Sequence, residues 1–266
     1  MVLVIVIAVL ALLAGLAANR YLRPRLVSDD DEGMAVKDLV GPLLTLTVLL
    51  LAFVLVTASG SHGKAEVAAR GEARALDKIV EIAEYAPDGT KARIQADSVC
   101  YARAVRTQEW PAMADGEDSA APSVWSTDLR KTFRELEGEP VFGMLVAADN
   151  ERSQEREERQ TQSTPSIPSS ILWFLLITLT VTVIALGFCL PRRNNRAQIL
   201  SLVVVTGLLT ATLCIIRDVD RPFGGVTAVE PTAIAETERQ ATRDYRAHRA
   251  LDTLPCDANG VRLTKA

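Results

Sequence analysis

LVGPLLTLTVLLLAFVLVTA, residues 39–58, has the length and composition of a membrane-crossing helix. The stretch is 20 residues long and its only polar side chains are Thr45, Thr47 and Thr57. At about 1.5 Å rise per residue, a helix of that length matches the thickness of a bilayer's hydrocarbon core. Three more runs share the pattern: 2–18, 171–190 and 197–216. None of the four contains Asp, Glu, Lys, Arg or His. The chain is 48% hydrophobic yet 23% charged, and the charges crowd into the segments between the runs. This segregation predicts an all-α membrane protein with four transmembrane helices. Residues 1–58 read as one hairpin and 59–170 as a helical extramembrane insert. Residues 171–216 form a second hairpin, and 217–266 a short helical tail.

The first run has the length of a signal peptide. However, it lacks a basic segment before it, and Arg20, Arg23 and Arg25 follow it at once. It therefore reads as an uncleaved anchor. The short loops 19–38 and 191–196 are rich in Arg and Lys, which marks them as cytoplasmic. Both termini and the insert then fall outside the cell membrane, although Lys64, Arg70, Arg217 and Arg221 flank spans on that side.

Spans without ionisable groups exclude proton relays and ion-coupled carriers of the usual kind. What remains in them is hydroxyls and small residues. Thr178 with Thr182, and Thr206 with Thr210, lie one turn apart. Ala11 with Gly15, and Gly207 with Ala211, are small-xxx-small pairs suited to close helix packing.

The insert reads as four helices. Ala69, Ala73, Leu76, Ile79, Val80 and Ala83 recur at helical spacing over 64–86, before the turn Pro87-Asp88-Gly89. A second helix spans 90–109 and is expected to stop at Trp110-Pro111. Ser126 is placed to cap a third, and a fourth follows the Gly138-Glu139-Pro140 break. Residues 149–163 are almost all polar and read as a frayed, solvated extension. A tail helix covers 231–251. The insert carries 14 basic and 20 acidic side chains, scattered without a clustered carboxylate pair. With no acid–base pair, phosphate-binding loop or nucleophile elbow, the chain reads as no enzyme and as needing no cofactor. The two histidines and four cysteines have no metal-site spacing. A net charge of −4 gives no nucleic-acid footprint. The bilayer is the one partner that composition names.

Cys189 and Cys214 lie in apolar runs. Cys100 and Cys256 lie in polar segments on one side of the membrane, where they can bridge or remain free thiols. The most distinctive residues are Glu109-Trp110-Pro111 and Asp220-Arg221-Pro222-Phe223-Gly224. Both groups sit where helices are expected to end. They are expected to meet, with Trp110 packed on Phe223 and Arg221 paired to a carboxylate.

Several segments together, AEVAARGEARAL (65–76), YARAVRTQEWPAM (101–113) and DRPFGGV (220–226), resemble the bacterial bestrophin-like membrane family over residues 1–232. The likeness implies four spans with a helical insert after the second, and a turn at Pro222-Phe223-Gly224. It also implies assembly of several copies around a pore. It places insert and termini in the cytosol, opposite to the charge pattern. No carboxylate occurs in 226–229, so no calcium site is expected at the turn. Two functions stand at this point: a structural or sensory membrane protein, and an oligomeric anion-channel-like pore.

Overall fold

The computed structural model describes residues 1–22, 36–190, 196–248 and 253–263. Nine α-helices and one π-helical turn occur among the described residues: α1 (Val2–Tyr21), α2 (Val36–Ala83), α3 (Asp88–Ala104), the π turn (Val105–Glu109), α4 (Trp110–Asp115), α5 (Ala121–Arg134), α6 (Pro140–Thr161), α7 (Ser169–Phe188), α8 (Arg196–Val219) and α9 (Thr232–His248). Helices α1, α2, α7 and α8 are the four long and apolar enough to cross a membrane. The chain divides into two compact units, residues 1–60 with 165–220, and residues 61–164 with 221–266. The insert and the tail thus share one unit, as the spans share the other.

The second span does not stop at Ala58. It continues as one helix of 48 residues, about 72 Å long, running through Ser59-Gly60-Ser61-His62-Gly63 without a break; no proline lies between 58 and 83, and the alanine-rich pattern from Ala65 carries the helix on. In the membrane unit, Val4, Ala8, Leu51, Ala58, Leu175, Leu179, Leu213 and Ile216 form the core. Helices α1 and α7 approach so closely that a Cβ on Gly187 would lie 2.9 Å from the Gly15 backbone. A Cβ on Gly15 would lie 3.0 Å from the Ile184 carbonyl oxygen. Beside this contact, Asn19 donates through Nδ2 to the carbonyls of Gly187 (3.0 Å) and Leu190 (2.6 Å). Ala11 and Gly15 are both buried there.

The second small-xxx-small pair behaves otherwise. Gly207 has no atom within 4 Å of where its Cβ would stand, and Ala211 is exposed. Among the hydroxyls, Thr182 bonds across to Thr47 at 2.7 Å. Thr178 and Thr210 donate back to the carbonyls of Phe174 and Thr206 in their own helices. Back-bonding satisfies a hydroxyl without a neighbour, which is why spacing alone did not separate the two outcomes.

Two boundaries in the extramembrane unit differ from expectation. Helix α5 starts at Ala121 with Pro122 in its first turn, a favoured place for a ring that lacks an N–H. Ser126 lies inside that helix and donates to the Pro122 carbonyl instead of capping. Helix α6 runs unbroken to Thr161, and its polar second half is not a solvated stalk, for Arg152 and Arg159 are fully buried.

Candidate functional site

The site begins with a local irregularity. Pro111 has no N–H to give, and its ring would meet the carbonyl four residues back, so an α-helix cannot pass through it undisturbed. The chain inserts a π turn instead. The Trp110 amide bonds the Val105 carbonyl, five residues away, and the helix resumes as α4. Trp110-Pro111 therefore redirects the helix and does not end it; the stop comes at Gly116, with φ 78°. The π turn rotates Glu109 inward, where it is 0% exposed.

Trp110 meets the residues predicted to join it. Its ring contacts Phe223 edge to face, with centroids 5.3 Å apart, and its Nε1 donates to the Val229 carbonyl at 3.0 Å. The 222–224 turn is closed by the Gly224 amide on the Arg221 carbonyl (3.0 Å) and the Val229 amide on the Pro222 carbonyl (2.7 Å). Gly224 must be glycine: a Cβ there would stand 2.8 Å from the Ala114 carbonyl oxygen. The expected ion pair of Arg221 is absent among the described residues, and its side chain is exposed. The carboxylate next to it, Asp220, is 3% exposed and accepts three hydrogen bonds, from the Ser166 amide and hydroxyl and from the Ile167 amide. Asp220 ties the entry to α7, with all three bonds on its Oδ1.

Around Glu109 lies a buried charged network that sequence reasoning missed. Glu109 accepts from Arg156 Nε (3.1 Å) and from Gln160 Nε2, and lies 3.3 Å from Arg159 Nη2. Arg159, 0% exposed, donates through Nε to Glu72 (2.6 Å) and stacks over Trp110 at 5.1 Å. Glu72 also accepts the Tyr101 hydroxyl. Arg152 lies over the Tyr101 ring at 4.4 Å and donates to Asp149 through Nε (3.0 Å) and Nη2 (2.5 Å). Arg130 donates to the other Asp149 oxygen at 2.6 Å. Burial raises the Tyr101 pKa, and the Glu72 charge raises it further. Burial works against the Arg152 and Arg159 cations, but their charged and phenolic neighbours outweigh it and hold both above the ordinary guanidinium value. The arrangement stores charge in fixed positions.

Cys100 of α3 and Cys256 of the tail are joined by a disulfide, with Cα atoms 5.8 Å apart. The tail then lies along α3 and the π turn. Arg103 and Arg106 share the Glu238 carboxylate at 3.0 and 2.8 Å. Thr107 and Gln108 both donate to the Asn259 carbonyl, at 2.8 and 2.6 Å, and Trp125 Nε1 donates to the Gly260 carbonyl at 2.8 Å. Gly260, at φ 73°, sits where a Cβ would be 2.4 Å from the Ala104 nitrogen.

Four apolar helices, a helical extramembrane unit between the second and third, and a Pro-Phe-Gly turn after the fourth define a four-span membrane protein with an all-α accessory domain. The Bestrophin-like domain model matches residues 6–234, and the chain belongs to that family. Among solved structures, a substituted form of a bacterial bestrophin homologue from Klebsiella pneumoniae shares the fold with a TM-score of 0.74 at 14% identity, covering 91% of this chain and 98% of that one. A second substituted form of the Klebsiella homologue gives 0.71 at 13% identity, with the same two coverages of 91% and 98%. A structure described as a membrane protein gives 0.73 at 12% identity, covering 92% and 99%. No curated protein matches the sequence.

Proposed function

We propose that this protein is the subunit of a homo-oligomeric, anion-channel-like pore in the cell membrane, without catalytic activity of its own. Membership of the bestrophin-like family favours a pore over the structural or sensory reading. The observation that carries the proposal is the unburied face of α2. Leu46, Leu49, Phe53 and Val56 recur at helical spacing and are 49%, 51%, 71% and 71% exposed. With Thr45, also exposed, they give the second span a side that its own chain does not cover. In a ring of copies that side faces the axis, and Phe53 from each copy forms an apolar constriction of the kind that gates by dewetting. Purified protein reconstituted into planar bilayers, with particle images to count subunits, tests this. A closed ring that conducts chloride is expected, with larger currents for Phe53→Ala. A monomer that passes no current overturns the proposal.

The same reading includes an orientation. Cys100 and Cys256 form a disulfide, and disulfides persist in oxidising compartments. The basic short loops point the same way, with the helical unit outside, opposite to the bestrophin arrangement. With Cys189 and Cys214 replaced by serine, Ala120→Cys is expected to label in intact cells with an impermeant maleimide. Asn194→Cys is expected to label only after permeabilisation. The reverse pattern would turn the protein over in the membrane.

A further inference from the structure

Outside the Trp110–Phe223 contact, α5 and α6 enclose an open cavity of about 260 Å³ that the pore reading does not use. One wall is hydroxylic, from Ser123, Ser126 and Thr127; the other presents Arg130, Arg152 and Arg156. Arg152 is 1% exposed, and its Nη1 is buried without a hydrogen-bond partner, although its other two nitrogens are held by Asp149. A buried guanidinium donor left open costs as much as a lost charged hydrogen bond, so the cavity is short of an acceptor. The network repeats that shortage. Arg130, Arg152, Arg156 and Arg159 are four cations, against Glu72, Glu109 and Asp149.

We propose that this cavity is a binding site for a small organic anion, with one carboxylate or phosphate head on Arg152 and Arg130 and a hydroxyl-bearing body against Ser126 and Thr127; Arg156 is already committed to Glu109, the Ser123 hydroxyl and the Ser119 carbonyl and supplies only its charge. Guanidinium groups take such oxygen heads in pairs of parallel hydrogen bonds. The cavity is too large for a halide alone to fill. Glu157 on the lining and exposed puts a negative charge at the edge, which disfavours polyanions and selects a singly charged head. Ser126 donates to its own helix only at 3.3 Å, so its hydroxyl is readily turned to a ligand.

The site does not depend on pore formation, and its readout is binding. Full-length protein in nanodiscs is titrated calorimetrically with lactate, gluconate and inorganic phosphate at constant ionic strength, with sodium chloride as control. Saturable binding of one molecule per chain is expected for at least one probe, and none for chloride. A carboxylate preference and a phosphate preference distinguish the two heads. Arg152→Gln is expected to abolish binding. Because that side chain is packed, Arg130→Gln is the second variant: its side chain is 52% exposed, so the fold stands without it. Losing one charged contact weakens binding by about tenfold or more. No saturable heat with any probe, equal response to chloride, or undiminished affinity in Arg130→Gln overturns the inference.

Discussion

Arg159→Ala is expected to destabilise the extramembrane unit by about 3–5 kcal/mol, the range for removing one partner of a buried ion pair. The cost is not the loss of a favourable bond but the carboxylates left behind. Glu109 keeps Arg156 and Gln160. Glu72, 1% exposed, keeps only the Tyr101 hydroxyl. A second loss is packing, since the Arg159 guanidinium covers the Trp110 face at 5.1 Å and touches Met113 at 3.1 Å. Glu72→Gln should cost less, because Arg159 retains Glu109 and the amide oxygen still accepts from Tyr101. Thermal unfolding in detergent followed by near-ultraviolet dichroism measures both. A loss below about 1 kcal/mol for Arg159→Ala would place the network in a far more hydrated setting than its burial implies.

Cys256→Ser is the second large effect. The bridge joins residues 156 apart, and the chain-entropy relation gives about 5 kcal/mol for a loop of that size. Residues 165–220 inside the loop belong to the membrane unit and stay in the bilayer. The free part is then about 100 residues, and the figure settles between about 4 and 5 kcal/mol. Dithiothreitol is expected to lower the melting temperature of the parent protein and leave that of Cys256→Ser unchanged. In denatured, unreduced protein, two thiols should react, those of Cys189 and Cys214, which lie outside the disulfide. Four reactive thiols would remove the bridge, and with it the main support for an outward-facing helical unit.

The spans were legible because hydrophobic length is a physical requirement of the bilayer, and runs such as 39–58 have no competing reading. The meeting of Trp110 with Phe223 was legible from rarity: a tryptophan and a phenylalanine, each beside proline in an alanine-rich chain, are the natural anchors of a small core. The Arg221 pair was not, because a carboxylate next in sequence can spend its lone pairs on backbone amides, as Asp220 does. The charged network was hidden for a related reason. A polar run such as 149–163 is most often a solvated face, and its composition gives no sign of burial. Its spacing did hold a signal, for Asp149, Arg152, Arg156 and Arg159 follow a three-and-four rhythm that puts them on one side of α6. Glu72 interrupts the apolar positions 69, 73 and 76 of α2 on the facing side. A charge stripe at helical period, matched by a lone carboxylate in an alanine face, is what would have revealed it. The π turn had only Pro111 as its mark, and proline in a helix permits a stop, a kink or a bulge alike.

The contact between Gly15 and Gly187 bears on how the protein is made. It joins the first span to the third, whose residues leave the ribosome about 170 positions later. At about 5–20 residues per second, α1 waits in the lipid for roughly 10–30 seconds before its partner exists. A run without a polar side chain up to Ala18 can wait there unaided, while Asn19 must stay at the interface until the carbonyls of Gly187 and Leu190 arrive to receive it. Closure of the membrane unit is thus timed by translation: the glycine pair can meet only once the third span has emerged, and the fourth span, Arg196–Val219, still follows it.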